Sequence, residues 1–93
     1  MTEKQLEAKL RDKIKQLGGL ALKLVCPSFT GVPDRMILLP KGRIWFVEMK
    51  ARGKIPTPRQ EAVHTILRKL GFDVWVIDSN EALSQFLFAV EVC

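Results

Sequence analysis

Cysteine is scarce in this chain: Cys26 and Cys93 are far apart and have no companions. That excludes a disulfide framework and a thiolate zinc site, and it leads us to expect reduced thiols in a cytoplasmic protein. Long hydrophobic runs are also missing. No stretch approaches the roughly 20 apolar residues that a membrane span requires. The polar start Met1-Thr2-Glu3-Lys4-Gln5 does not read as a secretory leader. No membrane partner is therefore expected. Internal repeats, low-complexity tracts and interdomain linkers are absent as well. Acidic charge is in deficit, with 10 Asp and Glu against 15 Lys and Arg, a net charge of +5 and a pI near 9.6. Such a balance suggests a polyanionic partner, although many basic proteins of this size are simply soluble.

What is present suits a small folded protein. With 93 residues, 47% of them apolar, the chain can build one domain around one modest core. Thr2-Glu3-Lys4-Gln5 has the form of a capping box, and Leu6, Leu10, Ile14 and Leu17 follow at helical spacing until Gly18-Gly19 stops the helix. Leu20 to Cys26 reads as a strand interrupted by Lys23, Arg35 to Leu39 as a second and Ile44 to Ala51 as a third. The short turn Pro40-Lys41-Gly42-Arg43 makes the last two an antiparallel hairpin. Thr57-Pro58-Arg59-Gln60 is a second capping box, with proline at the favoured first helical position. It opens a helix whose buried stripe is expected to be Val63, Ile66, Leu67 and Leu70. Val74 to Ile77 then forms a fourth strand, able to lie parallel to the third through the helical crossover. Asp78 or Ser79 can cap a last helix carrying Leu83, Phe86, Leu87 and Val90. The expected class is α/β: a small mixed sheet flanked by helices, in the order αβββαβα.

One spacing carries chemistry. Thirteen residues separate Asp34 from Glu48, and Lys50 follows after a single residue. Glu48 and Lys50 share a strand face, about 7 Å apart along it. Two convergent carboxylates suit a hard divalent cation, and a neighbouring ammonium can hold a phosphate or position a water. Whether Asp34 reaches the same face depends on register. A two-residue turn at Lys41-Gly42 would set Asp34 opposite Met49, on the wrong face. A three-residue loop or one bulge would set it opposite Lys50 and aim it correctly, and that is the expectation. An arbitrary Glu-x-Lys is usually a solvated pair. Here Ile44, Trp45, Phe46, Val47 and Met49 surround it, and charges on a strand covered on both faces are costly unless they are paired or bind an ion.

Gly31-Val32-Pro33-Asp34-Arg35, Phe46-Val47-Glu48-Met49-Lys50-Ala51, Gln60 and Gly71-Phe72-Asp73-Val74 resemble, in order and spacing, the PD-(D/E)xK nucleases. More closely, the chain resembles a stand-alone VRR-NUC (virus-type replication-repair nuclease) domain spanning residues 1–93. The resemblance implies a restriction-endonuclease-like core and Mg²⁺- or Mn²⁺-dependent cleavage of DNA, with no organic cofactor. It further implies a phage-encoded or bacterial protein acting on branched DNA such as a four-way Holliday junction, and a homodimer is expected because two-fold symmetry would present two active sites to such a symmetric substrate. Carried over by position, Asp34, Glu48 and the Met49 carbonyl would ligate the metal, and Lys50 would orient water or stabilise charge on the phosphate. Glu7 would be a direct or water-mediated ligand, and Gln60 would lie near Lys50.

Each of these residues also has a plainer reading. Glu7 could pair with Arg11 on the helix surface, while Glu3 points closer to the apolar stripe but sits in the fraying first turn. Gln60 could serve only its capping box. Arg35 could contribute to function or to a structural ion pair. Lys23, Arg52, Lys54 and Arg59 are candidate phosphate contacts or ordinary surface charges. His64 is unremarkable as a lone helix histidine, Trp45 and Trp75 read as core, and Phe29 is the better candidate to touch a base. Phe88 exceeds what one helix stripe needs and could lie in a dimer interface. A different class also remains open: a non-catalytic nucleic-acid- or partner-binding module with a nuclease-like fold, or a nicking or flap nuclease within a replication-repair assembly.

Overall fold

The computed structural model describes residues 1–92, and Cys93 lies outside them. The elements are α1 (Glu3–Gln16), β1 (Leu20–Lys23), β2 (Arg35–Leu39), β3 (Arg43–Met49), α2 (Pro58–Lys69), β4 (Asp73–Ile77) and α3 (Asn80–Val92). The αβββαβα order is the expected one. Sheet order is β1-β2-β3-β4, with β1/β2 and β2/β3 antiparallel and β3/β4 parallel. Both capping boxes form. Thr2 Oγ1 accepts the Gln5 amide at 3.1 Å while Gln5 Oε1 accepts the Thr2 amide at 2.9 Å. The Thr57–Gln60 pair does the same at 3.2 and 2.9 Å. Each box satisfies helix-start amides that would otherwise lack partners.

The sheet has helices on both faces. Leu6, Leu10 and Ile14 of α1 and Leu83, Phe86 and Val90 of α3 meet Ile37, Leu39, Trp45, Val47, Met49 and Ile77 in one apolar cluster. Pairing of Ile37 with Trp45 and of Arg35 with Val47 places these strand residues on a common face. Alternation sends Phe46 and Glu48 to the opposite face, where α2 lies. Gly19 makes the α1–β1 turn possible: a Cβ there would collide with the Leu38 carbonyl and approach Leu39 Cδ2 to 2.6 Å. Trp45 is buried, and Trp75 packs edge-on against Phe86 with centroids 5.5 Å apart, so both tryptophans belong to the core as expected. Among the described residues no helix is long and apolar enough to cross a membrane.

Three local expectations need correction. β1 stops at Lys23 rather than Cys26: residue pairing ends at Lys23↔Arg35, and a single further bond, from the Leu24 amide to the Asp34 carbonyl, follows it. β3 runs over 43–49 rather than 44–51. The α2 stripe is rotated: Val63 and His64 are buried, whereas Ile66 and Leu70 are 46% and 69% exposed. The inward face is thus Gln60, Val63, His64 and Leu67, and counting apolar residues misses it because two of the four are polar.

Candidate active site

The β2–β3 hairpin brings the two carboxylates together. Its loop is Pro40-Lys41-Gly42, closed by the Leu39↔Arg43 pair, with φ of +70° at both Lys41 and Gly42. The expected three-residue loop is present but begins one residue earlier. Asp34, which precedes the Arg35↔Val47 pair, therefore falls beside Glu48 rather than Lys50. The shift is two residues, so the face is preserved. Asp34 Oδ2 accepts the Met49 amide at 2.9 Å, and the Asp34 carbonyl accepts the Leu24 amide at 2.8 Å. The Asp34 side chain thus takes the place of a ladder partner just where β2 has ended.

Glu48 lies deep in the sheet at 1% exposure. Two successive turns of α2 reach its two oxygens: Gln60 Nε2 stands 3.4 Å from Oε2 and His64 Nε2 stands 3.5 Å from Oε1. The longer contact is not a hydrogen bond, and Glu48 Oε1, His64 Nδ1 and His64 Nε2 are buried without partners. Burial pushes the Glu48 carboxyl up to about 8; hydrogen bonding to Asp34 and the Asp34 charge push the same way, against the pull of Lys50. His64 is pushed down, first by burial and then by the charge of Arg68. Gln60 performs both tasks considered for it, capping α2 through Oε1 and donating to Glu48 through Nε2.

A cleft of about 380 Å³ opens at this end of β3, lined by Asp34, Glu48, Lys50 and Gln60 and also by Glu3 and Lys54. Among the described residues no three His, Cys, Asp or Glu side chains gather into a ready-made cage. The donor set nevertheless fits a hard divalent cation, because such ions take two carboxylates together with carbonyl and water oxygens. A buried carboxyl whose Oε1 has no partner, and whose ionisation is opposed by a second carboxylate, is a group that a bound cation would stabilise.

The remaining candidates scatter. Glu7 pairs not with Arg11 but with Arg35, at 3.3 Å from Nη2 and 3.4 Å from Nε. Arg35 is 7% exposed and also donates to the Ala21 carbonyl at 3.1 Å, so its role in the fold is that of a structural ion pair. The α1 acid that lines the cleft is Glu3. Lys23 is exposed at the end of the edge strand β1, and Arg52 is exposed on the loop after β3. Arg59 Nε donates to Thr30, at 3.2 Å from the carbonyl and 3.3 Å from Oγ1, and its guanidinium lies 5.2 Å from the centroid of the Phe29 ring. Gly31, at φ +89°, lets this loop press on α2, since a Cβ would stand 3.0 Å from Arg59 and Val63 atoms. Sequence reasoning undervalued His64 and Glu3. The available signal for His64 was its position four residues after Gln60, one turn along the same face.

No protein-family model matches the chain. A curated relative, the "Putative nuclease p44" of Acyrthosiphon pisum secondary endosymbiont phage 1, is 47% identical over 88 residues, which are 95% of this chain and 94% of that protein. A solved structure described as a "VRR_NUC domain" superposes with a TM-score of 0.85 at 32% identity, covering 94% of this chain and 96% of that one. The chain belongs to the VRR-NUC nuclease family.

Proposed function

We propose that the protein is a metal-dependent DNA endonuclease that hydrolyses phosphodiester bonds in branched DNA, four-way junctions above all, and works as a homodimer in the cytoplasm of a bacterial host. The observation that carries this reading is the Asp34–Glu48 carboxylate pair, with Glu48 buried under α2 and Asp34 half-buried beside it, the two lining one cleft with Lys50. A bound Mg²⁺ or Mn²⁺ would polarise the phosphate and lower the pKa of a water molecule. Asp34 and Glu48 would hold it by their side chains. Met49 would add its carbonyl, which leaves the strand on the same edge as the amide that Asp34 accepts. Gln60 holds Glu48 Oε2, and the Lys50 ammonium is available to orient the attacking water or to stabilise charge on the phosphate. Glu7 could act as a ligand only by releasing Arg35, whereas Glu3 already lines the cleft.

Lys23, Arg52, Lys54 and Arg59 would contact backbone phosphates, which makes binding salt-dependent. A two-fold dimer would present two such sites to a symmetric junction. Phe88 and Val92, four residues apart on α3 and each 65% exposed, offer an apolar surface for it. The test is cleavage of labelled four-way junction, flap, single-stranded and linear duplex DNA with Mn²⁺ or Mg²⁺, wild type beside Lys50→Ala. The expected result is symmetric junction cutting that is lost in the variant and in EDTA. Folded wild-type protein that binds junctions but cuts nothing would replace this reading with a binding module.

A further inference from the structure

His64 is buried more completely than any other polar residue of the sheet and helices, at 0% exposure, yet neither ring nitrogen has a hydrogen-bond partner among the described residues. A histidine that merely fills a core is normally satisfied, because a buried polar group without a partner costs stability. This one has its Nε2 directed at Glu48 Oε1, 3.5 Å away, and that oxygen is itself without a partner. The other oxygen of the same carboxylate already has Gln60 Nε2 at 3.4 Å. Gln60 and His64 are four residues apart on α2, so one helix face addresses both oxygens of one carboxylate from successive turns. Closing the His64 gap by a few tenths of an ångström would bring it within normal hydrogen-bond length.

We propose that His64 is a positioning residue: with Gln60 it forms a bracket on α2 that fixes the plane of the Glu48 carboxylate for cation binding. This rests on the metal-dependent reading above. In this bracket the ring donates from Nε2 to Oε1, as the amide of Gln60 donates to Oε2. Orienting partners of ligating carboxylates of this kind affect metal affinity by about 10–100-fold. Held from two successive turns of α2, the carboxylate would keep one plane when Asp34 and Glu48 hold a divalent cation.

The test measures Mn²⁺ affinity by calorimetry, alongside metal-free thermal stability and junction cleavage. The proteins are wild type, His64→Leu, His64→Gln and Val63→Ala. His64→Leu keeps bulk but removes the donor. His64→Gln returns an N–H near the Nε2 position. Val63→Ala damages packing one residue away without touching the carboxylate. The expected outcome is about tenfold weaker Mn²⁺ binding in His64→Leu, with its metal-free melting temperature largely retained. Affinity should return to within a few-fold of wild type in His64→Gln. Val63→Ala should melt earlier yet bind Mn²⁺ as wild type does. Unchanged affinity in His64→Leu beside a wild type that binds Mn²⁺ would overturn the positioning role alone. Loss in His64→Leu that follows its melting temperature, without rescue by glutamine, would overturn it too. A wild type that neither binds Mn²⁺ nor cuts would overturn the metal-dependent reading, and this inference with it.

Discussion

The two faces of the sheet bury charge in opposite ways. Towards α1 and α3, Arg35 sits in an apolar cluster with its guanidinium shared between Glu7 and the Ala21 carbonyl. Towards α2, Glu48 and His64 are buried even more fully and keep three polar atoms without partners. Both arrangements place a titratable group in a dry setting, but only one is satisfied by the folded chain. Satisfied burial is what a structural ion pair requires. Unsatisfied burial beside a cleft costs stability, and a ligand that completes the set can offset that cost.

Glu48→Gln breaks the comparison most strongly. Junction cleavage should fall on the order of 10³-fold, as expected when several kcal/mol of metal assistance is lost. Stability should move the other way. In wild type the folded carboxyl titrates at about 8 against an ordinary 4.5, so the folded state holds a proton that the unfolded chain releases between those values. That contribution is fully present below about 4.5 and is lost as pH rises through about 8. Melting curves in EDTA should therefore show wild type losing ground to Glu48→Gln from pH 5 to pH 9. A constant difference across that range would remove the proposed dry, cation-seeking character of this face.

The opposite face should answer in stability alone. Leu10→Ala deletes a side chain with 0% exposure from the apolar cluster and should cost about 2–5 kcal/mol in denaturant melts. Cleavage per folded molecule should be unchanged, and a matching loss of rate would show that the faces are mechanically linked.

The smallest effect sharpens the boundary between the faces. Glu7→Gln keeps an acceptor for Arg35 but discards the charge, and should cost about 1–3 kcal/mol. If Glu7 serves Arg35, metal affinity should hold in this variant and fall in Glu3→Gln, because Glu3 is the α1 acid that lines the cleft. Calorimetry on the two variants separates these roles, and the reverse pattern would place Glu7 at the metal.

Much of this was legible before the fold was known, and the reasons are local. The two Thr-x-x-Gln boxes start helices because cap and partner lie three residues apart, and both formed. Asp34, Glu48 and Lys50 could be picked out as a unit because strand alternation needs only neighbouring residues, and all three line one cleft. The α2 stripe was misread for the converse reason. Ile66 and Leu70 look like core on hydrophobicity, but Glu48 lies under Gln60 and His64, so the helix turns its polar pair inward. The hairpin shows the same limit: the sequence narrowed Asp34 to the correct face, while its place beside Glu48 depended on where the Pro40–Gly42 loop closed.

The sequence by itself determined the order of elements, their caps and the set of groups available for chemistry, because each depends on residues within about one helical turn or one strand repeat. Only the tertiary structure decided which carboxylate oxygen meets which side chain, that Glu7 answers to Arg35, and that His64 stands over Glu48. Those pairings depend on sheet register and helix rotation, which packing sets across distant parts of the chain.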